Sequence, residues 1–125
     1  MKKDIAGKEE IRLLVDAFYK KVKKDDIIGF IFTDIARVNW EQHLPVMYDF
    51  WENVLFQTGS YTGNPMVTHA QLHHRFPLTR VHFAQWKKLF LETIEEHFEG
   101  PNAEVARQRA LSIATVMELK VIKLS

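Results

Sequence analysis

The sequence has no cysteine. That excludes disulfide staples, thiolate catalysis, zinc ribbons and cysteine-held iron–sulfur clusters, and it is compatible with a reducing compartment. An excess of charge of one sign is also missing: 17 Lys and Arg against 16 Asp and Glu leave a formal net charge of +1. Such a chain carries no electrostatic footprint for nucleic acid or an anionic membrane surface. No apolar run approaches the roughly 20 residues needed to span a bilayer. The opening Met1-Lys2-Lys3-Asp4-Ile5-Ala6-Gly7-Lys8 lacks an apolar core, so no signal peptide is expected and the cytoplasm is the expected location. Glycine and proline are sparse, at five and four residues, and no glycine-rich phosphate loop occurs. Serine is scarce and never sits in a nucleophile-elbow pattern. Glu9-Glu10 and Glu95-Glu96 read as solvated helix faces rather than a catalytic pair.

What remains is a chain of 125 residues rich in aromatics, with nine Phe, three Trp and three Tyr. That length is one domain, 1–125, able to bury roughly two thirds of its unfolded surface. The aromatic load suits either a dense core or a flat hydrophobic ligand. Sustained two-residue alternation, repeats and linkers are absent, so the fold class is all-α with short connections.

The helical pattern is explicit. Ile11, Val15, Phe18 and Val22 recur at helical spacing, with Leu14 widening the stripe, which predicts a helix over about 8–24. The wholly apolar Ile27-Ile28-Gly29-Phe30-Ile31-Phe32 predicts a short, tight, buried turn of helix, because Gly29 discourages a long one. Asn39 with Gln42 resembles a capping box for a helix over about 40–57. Pro45 kinks that helix if it starts at Trp40 and costs little if it starts near His43. Asn64 and Pro65 open a short helix that carries His69 and ends before Pro77. Thr79 caps a helix over about 80–98, and Gly100-Pro101 separates it from a last one over about 102–123.

Six histidines carry the available chemistry: His43, His69, His73, His74, His82 and His97. A lone histidine is more often a partly buried or surface residue than a ligand. His97 lies among glutamates at a helix end and reads as surface. His73 and His74 straddle a helix end, where positive charge is welcome. His69 and His73, four residues apart, could share one zinc ion, but no acidic third ligand is near and no His-Glu-x-x-His pattern occurs. Tyr19, Trp51 and Trp86, taken singly, read as core aromatics. A cofactor-free helical interaction module is therefore one reading of the chain, and a zinc-holding helical protein is another.

The combination of residues is more specific. Phe18-Tyr19, Phe32, Trp40-Glu41-Gln42-His43, Phe50-Trp51, Tyr61-Thr62-Gly63-Asn64-Pro65-Met66 with His69, and His82-Phe83-x-x-Trp86 resemble the truncated haemoglobins of group III, from about Ile11 to Met117. The resemblance implies a globin-like, truncated two-over-two helical sandwich holding haem b. It implies His69 as the proximal iron ligand, with Tyr19, Trp86 and His43 on the distal side as ligand-stabilising or gating residues. Phe32, Met47, Trp51, Leu72 and Phe83 are the implied haem contacts, and no propionate partner or catalytic residue is assigned. Five-coordinate haem iron needs one neutral imidazole and an open opposite face. Two polar donors near a bound diatomic molecule would slow its release by orders of magnitude. That favours O₂, NO or peroxide chemistry, of a dioxygenase-like or peroxidase-like kind, over bulk oxygen transport. The implied partners are diatomic gases, CO included, and an unidentified reductase. No nucleic acid or membrane is implied, and the chain is expected to be a monomer.

Overall fold

The structure, a computed structural model, describes residues 2–123, with the side chains of Met66 and Lys123 outside the described set. The expected domain over 1–125 is thus described without residues 1, 124 and 125. Helices α1 (Lys8–Lys24), α2 (Trp40–Phe56), α3 (Pro65–Arg75), α4 (Arg80–His97) and α5 (Pro101–Lys123) follow one another. A single parallel bridge, Lys3 with Phe98, is the only strand-like pairing among the described residues. No helix of the described residues is long and apolar enough to cross a membrane.

α1 packs on α2 and α4, α4 on α5, and both α2 and α3 lean on α5. The α1–α2 pair therefore lies over the α4–α5 pair, a two-over-two helical sandwich. The expected stripe of α1 is its buried face: Ile11, Leu14, Val15, Phe18, Tyr19 and Val22. α2 is different. Its apolar residues are many, yet only Trp51 is fully buried. On α3 no described side chain is fully buried. Phe32, Leu44, Met47, Leu72 and Phe76 are apolar and only partly covered. The α2–α3 side thus presents a group of neighbouring apolar side chains that are only partly covered.

One expectation is corrected and one open alternative is decided. Ile27–Phe32 is neither tight nor buried throughout. Ile28, Gly29 and Ile31 are buried, but Ile27 and Phe30 are 39% and 37% exposed. The turn over Ile31–Ile35 is wide, closed by an Ala36 N–H to Ile31 carbonyl bond of 2.8 Å spanning five residues. Gly29 serves close approach: a Cβ there would sit 2.8 Å from the Val22 carbonyl oxygen. Of the two alternatives for Pro45, the helix starts at Trp40, so Pro45 lies inside it and leaves the Glu41 carbonyl without its usual donor.

The segment before α1 acts as a strap across the α4–α5 corner. The Glu99 N–H donates to the Lys3 carbonyl at 3.0 Å. Asp4 caps α5 from far away in sequence, accepting the Asn102 and Ala103 N–H groups at 3.0 and 2.8 Å. Ile5 is fully buried. Gly100 has φ of 142°, and a Cβ there would overlap the Asp4 side chain at 2.6 Å. Removing the cap with Asp4→Ala is expected to cost about 0.5–2 kcal/mol in urea unfolding, the usual value of an N-cap. An unchanged midpoint would show that the strap does not hold α5.

Candidate metal centre

One side of the site is a single short helix. The Asn64 side-chain oxygen accepts the Val67 N–H at 3.4 Å, and Pro65 fills the first position, where its missing N–H costs nothing. His69 follows one turn later with Nδ1 2.7 Å from the Pro65 carbonyl oxygen. A carbonyl only accepts, so Nδ1 carries the proton and Nε2 keeps its lone pair. Burial holds this imidazole below the usual histidine range, with the Pro65 bond acting the other way. A neutral ring whose tautomer is set by a backbone carbonyl is the state in which histidine ligates a metal.

The facing side comes from α1, α2 and the wide turn. Tyr19 is 7% exposed, and burial pushes its phenol far above the usual tyrosine range, so it stays a protonated donor. His43 points inward: its Nε2 is 3.1 Å from the Tyr19 hydroxyl, and its ring meets Tyr19 and Trp40 edge-on at 5.2 and 5.8 Å. Burial first, and then closeness to the His69 imidazole, hold His43 below its usual range. The two histidines, from different helices, therefore share one region. The Tyr19–His43 pair has two settings. If His43 Nε2 carries a proton, it donates to the tyrosine oxygen and leaves the phenolic hydrogen free. If Nε2 is bare, it takes that hydrogen for itself.

Phe32 packs edge-to-face on Tyr19 at 5.9 Å and stacks on Trp40 at 6.3 Å. Met47 lies one turn beyond His43, and Leu72 one turn beyond His69; both are half-buried. Phe83 is buried near the start of α4. Trp86 is half-buried, lies nearly parallel to Phe90 at 5.3 Å, and receives the edge of Phe18 at 5.6 Å. Its indole N–H has no acceptor among the described residues. Trp51 sits deeper, stacked on Phe90 at 4.6 Å. Tyr19 thus touches both His43 and Phe32, Phe18 stands between Tyr19 and Trp86, and Trp51 belongs to the interior behind them.

Neither Trp40 nor Asp25 was expected from sequence to have a place in the site. Trp40 joins the cluster as a wall and carries the Lys23 ammonium 4.5 Å above its ring, a cation–π contact. Asp25 accepts the Ile27 and Ile28 N–H groups at 3.0 and 2.9 Å and the Gln85 side-chain amide at 2.7 Å, tying the wide turn to the residue before Trp86. An aspartate just ahead of two unpaired amides is a capping signal that could have been read. His73 lies with His74 in the last turn of α3, the helix end expected of it, and it also has a backbone partner. Its Nδ1 accepts the Leu78 N–H at 2.8 Å, which requires a bare nitrogen. His69 and His73 gain no third ligand for zinc among the described residues.

One free imidazole lone pair, flanked by incompletely covered apolar side chains and faced by hydrogen-bond donors, fits the needs of a haem group. Residues 3–120 match the family model described as bacterial-like globin. The chain is 32% identical over 118 residues to the group 3 truncated hemoglobin of Campylobacter jejuni, covering 92% of this chain and 91% of that relative. It also resembles the crystal structure of the group III truncated hemoglobin from Campylobacter jejuni with a TM-score of 0.86 and 30% identity, over 100% of this chain and 98% of that one. The chain belongs to the group III truncated haemoglobins. It is a haem-binding globin, and neither a cofactor-free module nor a zinc-holding protein is favoured.

Burial depresses three imidazoles of this globin: His43, His69 and His82. Each folded value lies below the unfolded one near 6.5, so the unfolded chain binds more protons as pH falls through that window. The stability they support is complete above about pH 6.5 and is lost as pH drops through the folded values. Urea unfolding of the haem-free globin from about pH 8 to 5 should show a plateau and then a decline. Stability that rose on acidification across this window would contradict the assignment of buried neutral histidines.

Proposed function

We propose that this globin holds haem b through His69 as the only protein ligand and binds O₂, NO and CO on the face toward Tyr19, Trp86 and His43. The observation that carries this reading is the His69 imidazole, protonated on Nδ1 against the Pro65 carbonyl and bare on Nε2. The haem would supply an iron centre with one open position, the site of diatomic-ligand and redox chemistry. The chain supplies the rest. His69 sets the axis of attachment. Phe32, Met47, Leu72 and Phe83 offer apolar cover to the macrocycle, backed by Trp51. Trp86 offers an uncommitted N–H, and Tyr19 an O–H whose direction His43 controls. Donors of this kind retain a polarised ligand far better than a neutral one. That supports O₂, NO or peroxide chemistry, with electrons from a separate reductase, over bulk oxygen transport by a cytoplasmic monomer.

His69→Gly should abolish normal haem incorporation unless imidazole is added. His73→Asn, which still offers Leu78 an acceptor, should retain the Soret band. The reverse pattern would transfer the ligand role to His73.

Tyr19→Phe and Trp86→Phe delete a donor with modest change of volume. If each donor contributes about 1.5–3 kcal/mol to O₂ retention, O₂ release should accelerate roughly ten- to a hundredfold in each single variant. CO release should change much less, since CO carries little charge on its outer atom. The two effects should not simply add if both donors reach one ligand. Stopped-flow rates for both gases decide the matter, and unchanged O₂ rates in both variants would reduce these aromatics to packing residues.

A further inference from the structure

We propose that His73 and His82 form an acid-sensitive latch across the corner between α3 and α4, the corner from which the His69 helix is hung. The corner presents two successive backbone amides. The Leu78 N–H donates to His73 Nδ1 at 2.8 Å, and the Thr79 N–H donates to His82 Nδ1 at 3.0 Å. One imidazole comes from the last turn of α3 and the other from the first turn of α4. A backbone N–H can only donate, so each Nδ1 must be a bare acceptor and each ring must carry its single proton on Nε2. A proton added to either ring turns an acceptor into a donor aimed at a donor.

What the latch seats is apolar. Leu78 is 6% exposed and forms part of the core. Phe76, just before it, packs against Phe30 at 5.3 Å and His82 at 5.8 Å. Pro77 has no N–H of its own, so the amides of Leu78 and Thr79 are the first donors the corner must satisfy after α3 ends.

The charged neighbours are committed elsewhere. Arg75 of α3 donates to the Ile35 carbonyl at 2.5 Å, and Arg80 of α4 pairs with Glu118 of α5 at 4.0 Å. His74 is exposed, and His69 is bound to Pro65. Among the described residues no carboxylate forms an ion pair with His73 or His82; the Thr79 hydroxyl, 3.4 Å from His82 Nδ1, offers a protonated ring a longer and weaker contact than the amide bond it would lose. The positive end of the α4 dipole also opposes charge on His82. Burial holds that imidazole below the usual histidine range, so its arm persists to lower pH than an exposed ring would allow. Imidazole is the side chain that can change charge near neutrality, so the corner is closed while both rings are neutral and loosens when either takes up a proton. The latch stands on these hydrogen bonds and not on what His69 holds.

Amide exchange followed by NMR on the haem-loaded, CO-bound protein tests it directly. Between about pH 7.5 and 5.5, protection factors at Leu78 and Thr79 should fall roughly two- to tenfold, the effect of losing one ordinary hydrogen bond. The Phe76 amide, bonded to the Leu72 carbonyl at 2.8 Å, serves as the local reference and should not follow. The variant His73→Asn with His82→Gln keeps both acceptors without titrating, and its protection should be independent of pH. Gln at this position completes a capping box with Thr79, so His82→Gln alone is available if the double variant does not fold. In that variant Thr79 should lose its pH dependence and Leu78 should keep it. Protection that is flat in the parent, or that falls as steeply in the variants, would overturn the latch. Failure to take up haem would instead count against the proposed function, and the same exchange series could then be run on the haem-free chain.

Discussion

Phe90 is where three helices are locked. It is fully buried, with Trp51 of α2 stacked on it at 4.6 Å, Trp86 of its own helix at 5.3 Å, and Phe18 of α1 edge-on at 5.0 Å. Offset and edge-on ring pairs each add about 0.5–1.5 kcal/mol beyond the area they bury, and they fix angles as well as distances. Phe18 passes the constraint on, touching Tyr19 at 4.8 Å. The orientation of Tyr19 and Trp86, the proposed donors, is thus inherited from the packing of Phe90. A shift of Phe90 would be felt at Tyr19 and Trp86 together.

The His69 side is organised by a different economy. α3 has no fully buried side chain among those described, and it leans on α5 rather than forming the centre of a core. Its position rests on polar closures at both ends: the Asn64 cap before it and the imidazole-held corner after it. The Pro65 carbonyl then sets the ring of His69 from within the same helix. The two walls of the site therefore differ in kind. The wall of Phe18 and Tyr19 is packed aromatic core, and the His69 wall is a helix tied at both ends by hydrogen bonds, with apolar side chains that stay partly exposed.

Most of the helical frame was legible in the sequence because caps and periodicity agree. Asn39, Asn64, Thr79 and Gly100-Pro101 each stand within a residue or two of an observed boundary. The wide turn was not legible, because an apolar run does not reveal how many residues each hydrogen bond will span. Its shape depends on Gly29 meeting the Val22 carbonyl and on Asp25 capping two amides. Pro45 could not be resolved either, since helix propensity opposes it and the Asn39 cap favours starting early. At the site, residue types were readable but directions were not. His43 turns inward because Tyr19 waits there, a partner 24 residues earlier in the chain. The acceptor roles of His73 and His82 were hidden because their partners are backbone amides of a turn, which no side-chain pattern announces.

The strap has a kinetic meaning. Its hydrogen bonds join residues 96 to 99 positions apart, while most helical contacts are local. A contact of that span is easiest to close once α1 has docked on α4 and only the short segment before α1 remains free, so we expect it to form after the helices have docked. Interactions that arrive after the rate-limiting step leave the folding rate nearly untouched and are lost early on the way out. Asp4, Ile5 and the Lys3–Phe98 bridge then act as a clasp: they govern how long the folded globin persists once made, more than how quickly it is made.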